Sequence, residues 1–303
     1  MDGGQLGTLK WPDFCWVVDR KDGIGHTVRS TTITTELEAR GAIVCPGDTE
    51  LCPAHGSVII VDSKVFPRPL THAAKNTDTP IAIIDNLRAP SIRHNLHIFP
   101  HPYAPPSLTS TTLRAGTEYI VMHPSIATIN PNTSHGRSLI ISMGAADPNK
   151  FTPLILNRLR DLNYPKGVNV LFGRRHRGLN HAIAALRPGG THFNPFHHFF
   201  FDDAHAAIVG FGLTFYEMTY LRIPAMCLTH SNPDTVFVKE MAQHLGYNNP
   251  DTIPWWGGDT SGLAPPESWQ GWLADPAGRS LKLPGLDNNG AKRCAELLLG
   301  VAG

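Results

Sequence analysis

Short apolar runs, separated by polar stretches rich in glycine and proline, recur along the whole chain. Their lengths and spacing predict β-strands over residues 14–18, 42–44, 57–61, 81–84, 96–99 and 118–121. Between the first two runs the apolar positions follow a helical period, most clearly over residues 31–40. Runs that are apolar at nearly every position suit strands covered on both faces, so the order reads as a parallel α/β sheet. Residues 123–136, loaded with Pro, Asn, Ser and Thr, interrupt the pattern, which restarts with a strand at 138–142. A helix from about 148 to 161 and strands at 168–172, 206–209 and 225–228 follow. Asp147-Pro148 reads as a helix start, because Asp caps exposed N–H groups and Pro is tolerated at the first helical position. The interruption predicts two domains, residues 1–134 and 135–303.

Each half therefore opens with a strand, a glycine-containing turn and a helix N-terminus. In the first half the turn is Asp22-Gly23-Ile24-Gly25-His26-Thr27-Val28-Arg29. Unpaired N–H groups and the helix dipole favour an electron-rich ligand group there, and glycines let it approach the backbone. His26 in that position reads either as a general base or as a capping and packing residue. Two such domains facing each other would set two anion-friendly helix ends across one cleft, an arrangement suited to a nucleotide-linked substrate.

Length and charge narrow the field. At 303 residues the chain can form two domains with a substantial core in each. Charged residues are only 17% and the formal net charge is +1, which argues against nucleic-acid binding by bulk electrostatics. Five cysteines without CxxC spacing suggest free thiols in a reducing compartment. Residues 1–10 lack the basic and apolar segments of an export signal, and no eighteen apolar residues run together. A cytoplasmic protein without a membrane span is the expectation.

Four segments, in order, carry a resemblance: Gly23-Ile24-Gly25-His26-Thr27-Val28-Arg29; Ile140-Ile141-Ser142-Met143-Gly144-Ala145-Ala146-Asp147-Pro148-Asn149; Gly210-Phe211-Gly212-Leu213-Thr214-Phe215-Tyr216-Glu217; and Asp287-Asn288-Asn289-Gly290-Ala291-Lys292-Arg293. The chain resembles the UDP-sugar hydrolases of pseudaminic acid biosynthesis and their spore-coat polysaccharide relatives, within the GT-B group that also holds the lipid II glycosyltransferase. The resemblance runs from Trp16 to Leu298 in short, substituted segments. It implies two Rossmann-like parallel-sheet domains facing a central cleft, the first carrying acceptor and catalysis, the second the nucleotide-sugar donor. It implies His26 as the catalytic residue, with Gly25 in its turn and Arg29 beside the cleft. Gly144 and Ala145 would face the diphosphate, with Gly212, Leu213 and Thr214 in the later turn, and Glu217 would hold ribose hydroxyls. Asn232 matches a family asparagine beside the sugar. Departures are Phe211 between the glycines of the later turn, Pro233 in place of a glutamine after Asn232, and an acidic turn shortened to Lys21-Asp22.

Other clusters have plainer readings. His197-His198 and Asp202-Asp203 flank three phenylalanines and look like packing more than a metal site, which wants three or four converging ligands. Arg174-Arg175-His176-Arg177 is a basic loop, either solvated or contacting phosphates; Arg174 is carried as a donor-site candidate. Trp255-Trp256 is an anchor for a Pro/Gly-rich loop or a sugar-stacking platform.

Breaking an anomeric bond to a diphosphate develops an oxocarbenium-like centre and a departing anion. Helix N-termini and Arg donors can stabilise the anion without a metal or cofactor, and a histidine can take the proton of the nucleophile. The expectation is an inverting, metal-independent glycosyltransferase using a nucleotide sugar, UDP-linked by resemblance, with a glycan or small molecule as acceptor. A UDP-sugar hydrolase, a non-catalytic nucleotide-sugar binding subunit, and transfer onto modified DNA are the alternatives.

Overall fold

The computed structural model of the protein describes residues 13–18, 24–46, 58–63, 78–86, 94–108, 112–130, 136–144, 147–173, 190–249 and 253–302. The first sheet is built from β1 (Phe14–Val18), β2 (Val44–Pro46), β3 (Val58–Asp62), β4 (Ile81–Ile84), β5 (Leu96–Phe99) and β6 (Leu113–Ala115), in the order β2-β1-β3-β4-β5-β6. Every pairing in it is parallel. Helix α1 (Ile24–Glu38) follows β1 and buries His26, Ser30, Ile33 and Leu37, a stripe at helical spacing against the sheet. The helix starts earlier than the periodic stretch suggested, so His26 and Arg29 lie inside its first two turns.

The second sheet has the order β13-β12-β11-β10-β7-β8-β9, with β7 (Ser138–Ser142), β8 (Gly167–Phe172), β9 (Thr191–Pro195), β10 (Ala204–Gly210), β11 (Ala225–Leu228), β12 (Trp256–Asp259) and β13 (Gly262–Leu263). All neighbours are parallel except β12 and β13. Helices α2 (Phe151–Asp161) and α5 (Pro266–Ala274) supply one of its cores, which includes Ile155, Leu159, Trp269 and Trp272. Helices α3 (Leu213–Tyr220) and α4 (Asn232–His244) lie in another, and that core also takes in Phe99, Leu108, Ile120, Met122 and Ile126. It is therefore shared between the two halves.

Three details correct the sequence reading. The run at 118–121 is not a strand: Thr117–Tyr119 form a 3-10 turn after Gly116, whose φ of 156° suits only glycine, and the edge strand is β6 instead. The run is apolar because it passes between two cores, Ile120 and Met122 entering the shared one and Val121 the core of the first sheet. The second strand lies at Val44–Pro46, displaced from 42–44 by the turn that ends α1 at Gly41. Helix α2 begins at Phe151, not 148; Asp147 still caps it, its carboxylate accepting from the N–H groups of Phe151 and Thr152 at 2.8 and 2.9 Å.

The last helix, α6 (Gly290–Ala302), returns to the first sheet. Ala291, Cys294, Ala295 and Leu298 join Phe14, Trp16, Ile33 and Leu37 in one core. We retain the division at 134/135 as a proposal about chain order; in space α6 packs with the first half.

Candidate active site

The carboxyl ends of three neighbouring parallel strands present acidic and imidazole groups side by side. Asp62 ends β3, Asp85 follows β4, and His101 lies two residues beyond β5. Asp85 has φ of 57°, a conformation Asp tolerates. Helix α1 lays His26 and Arg29 over this edge. His26 Nδ1 is 2.7 Å from Asp62 Oδ1. Arg29 donates from Nε to Asp62 Oδ2 at 3.0 Å and from a terminal nitrogen to Asp85 Oδ2 at 2.9 Å; its other terminal nitrogen bonds Asp62 Oδ1. His101 Nε2 is 2.7 Å from Asp85 Oδ1, and its Nδ1 is 2.8 Å from the Tyr216 hydroxyl on α3.

A carboxylate only accepts, so His26 donates from Nδ1 to Asp62, and in the neutral ring Nε2 is the acceptor. The 2.8 Å approach of Arg29 to the same Nδ1 cannot then be a hydrogen bond, and that Arg29 nitrogen serves Asp62 instead. His26 Nε2 stands 3.8 Å from Asp85 Oδ2, too far for a hydrogen bond. Around His26 the formal charge is one guanidinium against two carboxylates. Burial acts against the Arg29 charge, but Asp62 and Asp85 outweigh it and hold its pKa above the ordinary value. Burial likewise opposes the Asp85 charge, and Arg29 and His101 overcome it, so Asp85 stays ionised well below the usual carboxylate range.

The other half contributes the head of α3. Gly212 precedes it with φ of 153°, reserved for glycine, and a β-carbon built there meets nothing within 4 Å. Gly144, after β7, has φ of 78° and the same open space above it. A β-carbon on Gly25 would lie 3.6 Å from Leu213 Cβ, so the first turns of α1 and α3 face each other. Two helix N-termini thus converge from opposite domains, beside a buried histidine with a free ring nitrogen. Leu213 and Thr214 are half-buried at that head.

The remaining candidates are placed less simply. Arg29, with its side chain 11% exposed, is occupied by two carboxylates and is not free for a phosphate. Glu217 is buried at 1%; its carboxylate accepts from the His123 backbone N–H at 3.2 Å and lies 3.6 Å from His198 Nε2. It fastens the segment between the sheets and has almost no open surface for a ribose diol. Asn232 is exposed as the first residue of α4 and accepts from Thr260 through its amide oxygen at 3.0 Å. The structure does not bond it to the His26 network. Ala145 and Arg174 to Arg177 lie outside the described residues. Trp255 is fully buried against Phe215, the anchoring role, and Trp256 lies in β12. His197 caps a 3-10 turn, while His198 stacks on His123 and bonds Ser125.

The sequence reading missed Asp62, Asp85, His101 and Tyr216. A signal was present for two of them: Val-Ile-Ile-Val-Asp and Ile-Ala-Ile-Ile-Asp are both buried strands ending in an aspartate, where ligands of parallel sheets gather.

No family model and no curated sequence matches the chain. Solved structures do. The crystal structure of Acinetobacter baumannii MurG is similar at a TM-score of 0.57 and 10% identity, over 95% of this chain and 100% of that one. The structure of the glycotransferase of kitacinnamycin is similar at 0.56 and 10% identity, over 97% of each chain. At such identities the likeness speaks for architecture. The chain has the GT-B fold, two parallel-sheet domains facing one another.

Proposed function

We propose that the chain is a glycosyltransferase-type enzyme that takes a sugar from a nucleoside-diphosphate donor and delivers it, with inversion, to an acceptor hydroxyl. The observation that carries the reading is the His26–Asp62 pair in the first turn of α1, set opposite the head of α3 in a GT-B fold. In the step, the acceptor hydroxyl loses its proton to His26 Nε2. Its oxygen bonds the anomeric carbon as the carbon–oxygen bond to the diphosphate breaks on the opposite face, and the electron pair leaves with the diphosphate. Asp62 keeps the imidazole in the tautomer that accepts at Nε2 and faces the imidazolium that forms.

The backbone N–H groups of Gly212, Leu213 and Thr214 and the turn at Gly144 are suited to the diphosphate, with Ala145 and Arg174 as proposed additions. With charge met by those donors, the reading calls for no metal and no cofactor. UDP is the proposed nucleotide and a glycan or small molecule the proposed acceptor. No helix among the described residues is long and apolar enough to cross a membrane. Cys45, Cys227 and Cys294 are free thiols, which suits the proposed cytoplasmic setting.

Calorimetric titration with UDP, TDP, GDP and CMP, on wild type and Gly212→Ala, tests the donor site. Selective binding of one nucleotide, weakened in the variant, is expected; binding of none overturns the reading. Turnover of the matching nucleotide sugar with and without acceptor then separates transfer from hydrolysis. Unchanged activity in His26→Ala would leave only a binding protein.

A further inference from the structure

The hydrogen-bonded chain does not stop at the His26–Asp62 pair. From Arg29 it passes to Asp85, from Asp85 to His101, and from His101 to Tyr216, which belongs to the other domain. Asp85 accepts, so His101 donates from Nε2; with the ring neutral, Nδ1 accepts from the Tyr216 hydroxyl. Burial, and after it the Asp85 charge, raise the Tyr216 pKa well above its ordinary value, which keeps that hydroxyl a donor. Every link is thus satisfied in one consistent proton arrangement.

The His101 ring has little freedom to choose another. It is 8% exposed and enclosed by aromatic rings from both halves, with centroids 4.6 Å from Phe99, 5.0 Å from Phe237, 5.8 Å from Tyr216 and 6.2 Å from Phe211. Among the described residues, the titratable groups bonded to it are Asp85 on the first-sheet side and Tyr216 on α3. Tyr216 lies one helical turn from the Gly212–Thr214 head of the same helix. A displacement of α3 against the first sheet changes the Tyr216–His101 bond, and through Asp85 the two carboxylates that Arg29 holds around His26.

We propose that Tyr216, His101 and Asp85 are positioning residues, a relay by which the second domain sets the orientation and proton-accepting state of His26. The proposal rests on the reading of His26 as the base. None of the three touches the reacting atoms; they act through Arg29 and Asp62.

The test is made on the full chain by ¹⁵N-histidine NMR beside kinetics, for wild type, Tyr216→Phe, His101→Gln and His101→Leu. Tyr216→Phe keeps the ring and removes only the donor. A glutamine can still accept from Tyr216 through its carbonyl and donate to Asp85 through its amide, whereas leucine does neither. In wild type, the ring signals should report His101 protonated on Nε2 and His26 protonated on Nδ1. Tyr216→Phe should shift the ring-nitrogen signals of His26 and lower kcat by roughly 10- to 100-fold with KM little changed, the range typical of supporting partners of metal-bound imidazoles. His101→Leu should do the same, and His101→Gln should restore the His26 signals toward wild type. His26 signals that stay at their wild-type positions in both Tyr216→Phe and His101→Leu overturn the relay, whatever the activity. Shifted His26 signals in a protein that turns over no nucleotide sugar keep the relay and overturn the proposed function instead.

Discussion

At the scale of single residues, two carboxylates organise the candidate site. Asp62→Asn should be isosteric but chemically wrong. An amide N–H turned toward Nδ1 selects the other tautomer, which places the proton on Nε2 and removes the base. Turnover should fall by roughly 10²- to 10⁴-fold, comparable to His26→Ala, with the far-ultraviolet dichroism unchanged. Nucleotide affinity, measured by calorimetry, should change little in either variant, since both residues lie on the α1 side of the cleft. A separate residue should contribute to acid sensitivity. His97 on β5 is buried, its Nε2 has no hydrogen-bond partner among the described residues, and burial, followed by repulsion from His94, lowers its pKa to about 4. Between pH 6.5 and about 4 the unfolded chain holds a proton that the folded chain does not, so stability falls with pH across that window. The loss is up to about 3 kcal/mol from a shift of that size. Denaturant midpoints measured from pH 7.5 to 4.5 should decline more steeply for wild type than for His97→Phe; parallel declines would assign the acid sensitivity elsewhere.

At the scale of elements, the runs 14–18, 81–84, 96–99, 138–142 and 225–228 were legible because buried parallel strands are apolar at most positions and are bounded by turns. Two strands of the second sheet were not. β9, at the sheet edge, reads Thr-His-Phe-Asn-Pro and is only partly covered, and β12, beside the edge strand β13, reads Trp-Gly-Gly-Asp, whose glycines give no apolar signal. The glycines after β7 and before α3 were legible for a different reason: Gly144 and Gly212 hold a positive φ that other residues rarely adopt, and such a conformation leaves its mark in a single letter. Glu217, which the resemblance implies for ribose hydroxyls, accepts from the backbone N–H of His123, a contact that no local pattern announces. The partners of His26 were hidden because they come from residues 36 and 59 positions away in sequence, joined only once β3 and β4 lie side by side. Gly212→Ala tests the α3 turn directly. With φ of 153° the added methyl strains the backbone by about 1–3 kcal/mol although the space around it is empty. The expected outcome is a lowered melting temperature together with weakened nucleotide binding. A tight-binding variant would show that the turn does not hold the diphosphate.

At the scale of the whole molecule, the two halves are joined by more than a linker. The shared core sets Phe99 and Leu108 against residues of the second sheet's helices, and Gly290 brings α6 so close to the connecting segment that an added β-carbon would lie 2.0 Å from the Ile120 carbonyl oxygen. Gly290→Ala should therefore cost several kcal/mol unless α6 shifts, measured as a fall in denaturant midpoint; an unaffected midpoint would mean that the helix can move away freely. Leu298→Ala, which empties a fully buried position in the core of the first sheet, should cost about 2–5 kcal/mol. The return of α6 also bears on how the protein is made. Synthesis runs from the amino to the carboxyl end, yet the core of the first sheet is closed by side chains that emerge only at residues 291–298. The strands written first should wait on the ribosome with one face covered only in part, by α1, while the second sheet, whose helices lie within its own stretch of sequence, folds ahead of them. A nascent chain stalled before residue 290 should therefore protect the second sheet from protease and leave β1 to β5 open to cleavage, so that the half carrying His26 is the last part of the molecule to close.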